Sequence, residues 1–157
     1  MKFNKKQIER YSRQIILKKI GPIGQKKLLK SSVLIVGAGG LGSPIAIYLA
    51  GLGIGKIGII DNDNVEISNL GRQIIFNMND INKKKSIIAA NKLKKINPDI
   101  TIKPFYKTLT KANINNISKN FDLIIDGSDN FKTRFLINDY CLEKKKNTYF
   151  RCYQQIW

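Results

Sequence analysis

Short apolar runs rich in β-branched residues alternate along the chain with stretches whose apolar positions recur every three or four residues. The runs at 33–37, 56–61, 100–105 and 121–126 predict four strands. The second is unbroken by polar residues between Lys56 and Asp61, the pattern of a parallel strand buried on both faces. Helical spacing predicts helices over 5–19, where Ile8, Tyr11, Ile15 and Ile16 recur, and over 25–31, after a break at Gly21-Pro22. Further helices are predicted over 41–52, over 83–96 up to the stop at Asn97-Pro98, and over 111–119. The last, 130–145, offers Phe131, Phe135 and Tyr140 to a core. Strands alternating with helices predict an α/β fold, a doubly wound, mostly parallel sheet with a helical N-terminal extension. Residues 61–80 are irregular and polar, too long for a plain connector, and such loops are usually functional. The expected division is a helical segment over 1–32, the sheet domain over 33–146 and a divergent tail over 147–157.

The first strand leads into Gly37-Ala-Gly-Gly-Leu-Gly42, whose glycines at 37, 39 and 42 have the G-x-G-x-x-G spacing of a nucleotide-binding strand–turn–helix. The first glycine permits the tight turn, the second lets phosphate approach the backbone, and the third lets helix pack on strand. The helix that follows turns free N–H groups and a partial positive charge towards an anion. Asp61 lies 19 residues past Gly42, where an acid can hold ribose hydroxyls. The sheet is therefore expected to be Rossmann-like, ordered 3-2-1-4, with a ligand crevice between the first and fourth strands. Asp129-Asn130 falls at the far wall of that crevice, where Asp129 could equally be a helix N-cap. At this level a nucleotide-dependent enzyme, a nicotinamide oxidoreductase and a nucleotide-binding module without turnover all remain open.

The 157 residues suit one domain, 43% apolar and 25% charged. No apolar run approaches the roughly 20 residues of a membrane span, and the N-terminus lacks the apolar core of a signal peptide, so a cytoplasmic protein is expected. The net charge of +17 would suit a polyanion. However, the lysines are spread evenly and accompany many Ile and Asn, as A/T-rich coding would produce, so nucleic acid is not expected as a partner. Cys141 and Cys152 form no zinc spacing, and Cys141 is expected to be buried on its helix.

The block Asp61-Asn-Asp-Asn-Val-Glu-Ile-Ser-Asn-Leu-Gly-Arg-Gln73 adds specificity. With the G-x-G-G-x-G turn it resembles the signature of the ubiquitin-activating-like adenylyltransferases of the ThiF, MoeB and HesA group. Arg10-Tyr-Ser-Arg-Gln-Ile-Ile, Asn97-Pro98 and Asp126-Gly-Ser-Asp-Asn130 resemble further landmarks of that family in the same order. The resemblance implies ATP and Mg²⁺, and a ubiquitin-like sulfur carrier of the MoaD or ThiS kind whose C-terminal Gly-Gly carboxylate is adenylated for molybdopterin or thiamine synthesis. It implies that Gly37, Gly39, Gly40 and Gly42 cradle the nucleotide and that Asp61 holds the ribose. It places Ser68, Asn69, Leu70, Gly71 and Arg72 beside the phosphates, Lys85 on the β and γ phosphates, and Asp129, with Asn130, at Mg²⁺. Arg13 resembles an arginine that enters the partner's site, which implies a homodimer. Among these, Arg13, Arg72, Lys85 and Asp129 are the expected catalytic residues.

The family's chain continues further, often with two C-x-x-C zinc pairs and a reactive cysteine, none of which occurs here. The sequence is therefore expected to be incomplete at its C-terminus, with the fourth strand left as an exposed sheet edge. From Asn147 the tail departs from the family's pattern. One codon spelling read a base later restores a family-like Ile-Pro-Ile-Leu-Gly-Ala, so a frameshift within the codons for Lys144–Lys146 is one explanation. An unusual natural terminus and a cut fragment are the others.

Overall fold

A computed structural model describes residues 3–150. Five parallel strands form one sheet: β1 (Ser32–Val36), β2 (Lys56–Ile60), β3 (Thr101–Phe105), β4 (Leu123–Asp126) and β5 (Asn147–Phe150), in the order β3-β2-β1-β4-β5. The helices are α1 (Lys5–Arg10), α2 (Ser12–Ile15), α3 (Gly21–Lys30), α4 (Gly42–Leu52), α5 (Lys85–Ile96), α6 (Ile114–Ser118) and α7 (Phe131–Lys144). No described helix is long and apolar enough to cross a membrane.

Successive side chains of a strand point to opposite faces, and β1 uses both. Val33 and Ile35 join a core with Ala46 and Ala50 of α4 and Ala89 and Leu93 of α5. Leu34 and Val36 join a second core with Ile114 and Ile117 of α6, Phe121, and Ile137, Tyr140 and Cys141 of α7. Helices on both faces explain why the central strands read as unbroken apolar runs. Space on the second face is shared unequally. A Cβ on Gly58 of β2 would lie 2.5 Å from the Phe121 ring, so that strand presents no side chain there and the ring covers it. Phe105 meets the same ring edge-on at 6.4 Å between centroids.

Several sequence expectations are corrected. The sheet edge is β5, not β4: Ile124 pairs with Thr148 and Ile125 with Tyr149, so the residues from Asn147 continue the sheet. Residues 151–157, where the rest of the unusual tail lies, fall outside the described residues. The third helix begins at Gly21, not at 25; Pro22 sits in its first turn, where a missing N–H costs nothing. On α7 only Tyr140 of the three aromatics is buried, while Phe131 and Phe135 stack on each other in the open. The helix carries two apolar stripes, and the one with Ile137 and Cys141 meets the sheet. Burial also raises the Cys141 thiol pKa, as befits an inert core cysteine.

The predicted helix over 5–19 breaks at Tyr11 for a structural reason. Asn4 and Gln7 form a capping box at its start. Tyr11 then turns fully inward beneath Gly53, the left-handed cap of α4, where a Cβ would lie 2.6 Å from the tyrosine ring. The buried Asn97 donates through Nδ2 to the Tyr11 hydroxyl at 2.9 Å and to the Ala50 carbonyl at 2.8 Å. Arg10 donates to the Ile96 carbonyl at the end of α5 (2.8 Å). The Arg-Tyr and Asn-Pro landmarks thus hold each other, tying the N-terminal helices to the C-terminal ends of α4 and α5. Because Asn97→Leu would strand the Tyr11 hydroxyl and leave the Ala50 carbonyl with the Gly53 N–H alone, it should lower stability by roughly 1–3 kcal/mol. Urea unfolding measures this, and an unchanged midpoint would show that the network carries no weight.

Candidate functional site

The carboxyl ends of β1, β2 and β4 open onto a cleft of about 940 Å³. Its floor is glycine backbone. Gly37 has φ 91°, and a Cβ there would lie 2.8 Å from the Gly127 carbonyl oxygen. A Cβ on Gly42 would lie 1.8 Å from the Gly37 carbonyl oxygen, so α4 starts hard against the turn. Ser43 closes the turn, its Oγ donating to Ala38 O at 2.8 Å. Gly40 is different: a Cβ there would meet only the stem and backbone of Arg72, at 3.5 Å or more. No protein group requires a glycine at 40, so its missing side chain leaves the backbone open to whatever enters the cleft.

Asp61 is locked to this turn. Its Oδ2 accepts the Ala38 N–H and its Oδ1 the Asp63 N–H, each at 2.8 Å. Burial raises its pKa above the ordinary aspartate value, against the pull of those two N–H groups and of the Lys85 charge. The loop that follows folds onto the turn. Ile67–Asn69 is a single 3₁₀ turn, in which the Asn69 Oδ1 accepts the Glu66 N–H (3.1 Å) and Arg72 donates to the Ser68 carbonyl (3.0 Å). Arg72 lies along Gly40, and Gln73 lies beside Gly39.

Of the three consecutive lysines only Lys85 is turned inward. Lys83 and Lys84 are exposed, the latter over the Tyr106 ring at 4.3 Å, whereas Lys85 is buried with its Nζ 3.0 Å from Asp63 Oδ2. Backbone pairing places it there: Lys85 N–H donates to Asp63 O at 2.9 Å and Val65 N–H to Lys83 O at 2.8 Å. The far end of the loop is fastened by Asp80 to Lys92 of α5. Burial opposes ionisation of Asp80, but the Lys92 ammonium and the Asn77 N–H outweigh it and lower the pKa.

The opposite wall follows β4. The buried Asp126 accepts from Ser128 N–H (2.9 Å), Ser128 Oγ (2.6 Å) and Arg134 Nε (3.4 Å). The residue that caps α7 is Asn130, whose Oδ1 accepts the Thr133 N–H at 2.9 Å. Asp129 is therefore not the cap; its carboxylate is exposed and lines the cleft. Such a carboxylate fits a hard cation, which magnesium sites commonly complete with phosphate oxygens and water. No group of three or more His, Cys, Asp or Glu gathers at one point among the described residues, so a cation here would depend on that help.

Gly37, Gly39, Gly40, Asp61, Asn69, Arg72, Lys85, Asp129 and Asn130 all line the one cleft. Gly42, Ser68, Leu70 and Gly71 do not. Gly42 lies beneath the turn, Ser68 shapes the loop by donating to Glu66 Oε2 (3.2 Å), Leu70 packs on the core, and Gly71 is exposed. Arg13 sits exposed on α2, outside the cleft lining. Sequence reading did not single out Asp63, Gln73, Lys107 and Arg134, which also line it. Asp63 could have been found as the second acid of the Asp-x-Asp pair; Lys107 carried no signal.

Comparison with known proteins gives a consistent picture. The ThiF family model matches residues 11–151. A probable molybdopterin-synthase adenylyltransferase of Porphyra purpurea is 52% identical over 137 residues, which is 87% of this chain and 36% of that protein. The sulfur carrier protein adenylyltransferase of Thermus thermophilus is 42% identical over 139 residues, covering 88% of this chain and 51% of its own length. The chain thus spans about a third to a half of the curated relatives it matches. Among solved structures, Escherichia coli MccB with AMPCPP and MccA superposes with TM-score 0.81 at 29% identity, over 92% of this chain and 44% of that one.

The glycine geometry separates two substitutions. Gly42→Ala should destabilise the protein by about 3 kcal/mol or more, because the turn has no room for a Cβ. Gly40→Ala should change stability by no more than about 0.5 kcal/mol. Thermal unfolding of the two variants checks this, and equal effects would contradict it.

Proposed function

The chain belongs to the ThiF family, and with that as premise we propose that its cleft binds ATP with Mg²⁺ and adenylates the C-terminal carboxylate of a ubiquitin-like sulfur carrier ending in Gly-Gly. A carboxylate oxygen of the carrier attacks the α-phosphorus, the bond to the bridging oxygen breaks, and pyrophosphate leaves, giving an acyl-adenylate. Such a transfer depends mainly on positioning and on neutralising charge.

The observation that carries this reading is the convergence of Asp61, Arg72, Lys85 and Asp129 on one cleft over a glycine turn. Asp61, held by the turn, accepts the ribose hydroxyls. Gly39 and Gly40 offer open backbone to the phosphates, and Asn69 and Arg72 donate to them. Lys85, kept in place by an exposed Asp63, is free to exchange that carboxylate for β and γ phosphate oxygens. Asp129 and Asn130 face the metal side. Arg13 is proposed to enter the cleft of a second copy, making the active form a homodimer. The adenylyltransferase names of the relatives and the AMPCPP in the MccB structure support this assignment. A nicotinamide oxidoreductase would share the glycine turn and Asp61 but has no use for Arg72, Lys85 and Asp129 together.

ATP–pyrophosphate exchange dependent on a carrier ending in Gly-Gly tests the reaction. Exchange is expected with the parent chain and should fall at least a hundredfold in Lys85→Ala and Asp129→Ala. ATP binding without exchange for any carrier would reduce the chain to a nucleotide-binding unit, and NADH binding without ATP binding would overturn the reading.

The raised pKa of Asp61 predicts a pH response. The carboxylate is the better acceptor for ribose hydroxyls, so adenosine affinity should fall as pH drops through that raised value, above the ordinary aspartate range. The Asp61 contribution to the stability of the free protein has the opposite sign, because a buried carboxylate costs stability above its unfolded pKa and protonation relieves that cost, whereas Asp80, with its lowered pKa, loses stability as pH falls. Asp61→Asn should flatten the affinity profile and remove the Asp61 contribution from the stability profile. Adenosine titrations and thermal melts across the acid range measure them, and a parent affinity that stays level with pH would contradict the role of Asp61.

A further inference from the structure

Arg134 stands in the first turn of α7 and lines the cleft, half-buried, and no role assigned above uses it. Its guanidinium is oriented from two sides. Nε donates to Oδ2 of the buried Asp126 at 3.4 Å, and the Phe131 ring lies against it, 5.6 Å from Cζ to the ring centroid. Those contacts use one nitrogen and one face. Among the described residues neither Nη group has a hydrogen-bond partner. A purely structural role leaves this unexplained. Asp126 Oδ1 already accepts Ser128 N–H and Ser128 Oγ, so one further donor, which a lysine could supply, completes that carboxylate. What the arginine adds is the pair of Nη groups, two parallel N–H donors in one plane, which match the two oxygens of a carboxylate.

The cations of the cleft are divided between its walls. Arg72 lies along the open Gly40, and Lys85 follows the same loop, whereas Arg134 stands on the β4 wall with Asp129. A carboxylate that attacks a phosphate brings two anions together. A fixed cation on the nucleophile's side offsets that repulsion before the new bond forms. We propose that Arg134 is the residue that binds the acyl substrate, its Nη pair holding the C-terminal carboxylate of the carrier against the α-phosphate. The inference rests on the acyl-transfer reading above and names the group that receives its second substrate. Asp126 and Phe131 act as positioning residues, one fixing the Nε edge of the guanidinium and the other its face. No step is added to the reaction: the carboxylate oxygen still attacks phosphorus and pyrophosphate still leaves.

A double-mutant cycle across the interface tests this. The full chain, loaded with AMPCPP so that no turnover occurs, is titrated by calorimetry with a MoaD-type carrier ending in Gly-Gly and with the same carrier as its C-terminal carboxamide. The parent should prefer the carboxylate by about tenfold or more. Arg134→Gln should reduce that preference to within about twofold, and should leave the affinities for the carboxamide carrier and for AMPCPP within about twofold of the parent's. Arg134→Lys keeps a cation beside Asp126 but loses the paired donors, so it should lower the preference at least threefold, and it gives the same readout if Arg134→Gln does not fold. Equal losses for both carriers would mean that the residue only shapes the wall, and AMPCPP weakened about tenfold with the preference intact would make it a phosphate ligand; either overturns the proposal. A preference that survives in both variants, while the parent sustains carrier-dependent exchange, would overturn it alone and leave the acyl-transfer reading intact. A parent chain that binds neither AMPCPP nor carrier would overturn both.

Discussion

The close packing of backbone at Gly37, Gly42 and Gly127 is the constraint on which the rest of this structure depends. The first two glycines bring α4 against the end of β1, and the first and third bring the end of β4 against the same turn. The contact is fixed from both sides by Gly37 N–H to Ile60 O and Gly127 N–H to Val36 O, each 2.8 Å. Three strand ends therefore meet at one point with no side chains between them. Asp61 from β2 and the Ser128-Asp129 turn from β4 then reach the same cleft because the backbone beneath them leaves no other spacing. The loop over 61–80 adds the remaining wall, secured at its near end by Lys85–Asp63 and at its far end by Lys92–Asp80.

The strands over 33–37, 56–61 and 121–126 were legible because burial on both faces demands unbroken β-branched runs. The fifth strand was not, because Asn147-Thr-Tyr-Phe150 is short and mixed, and only the position of its neighbour β4 makes it a strand. The α7 face was misread for a related reason. Phe131 and Phe135 are spaced as well for burial as Ile137 and Cys141 are, and periodicity cannot say which stripe meets the sheet. In the site, Asp61, Arg72, Lys85 and Asp129 were recognisable because they sit in spaced motifs. Gln73 stands in the same block, but its burial at the wall of the cleft is visible only once the loop is folded.

Charge is distributed unevenly. The chain has only 11 acidic residues against 28 basic ones, yet Asp61, Asp63, Glu66 and Asp129 all line the cleft. Arg72, Lys85, Lys107 and Arg134 line it too, so the cleft is balanced while the surface around it carries the excess. A positive exterior draws anions towards the protein over the range of the Debye length. Inside, acids placed one by one are suited to holding hydroxyls and a cation, which a uniformly basic pocket could not do.

The Gly58–Phe121 contact bears on how this sequence can change over time. The glycine's Cα and the ring occupy one volume between two strands, with Lys56 lying over the ring at 4.6 Å and Phe105 at its edge. Neither residue can grow or shrink alone without a clash or a void. Among related sequences the two positions should therefore covary in size, with a larger residue at one appearing only beside a smaller one at the other. That pairing would trace descent through the interior of the sheet, independently of the residues that face the cleft.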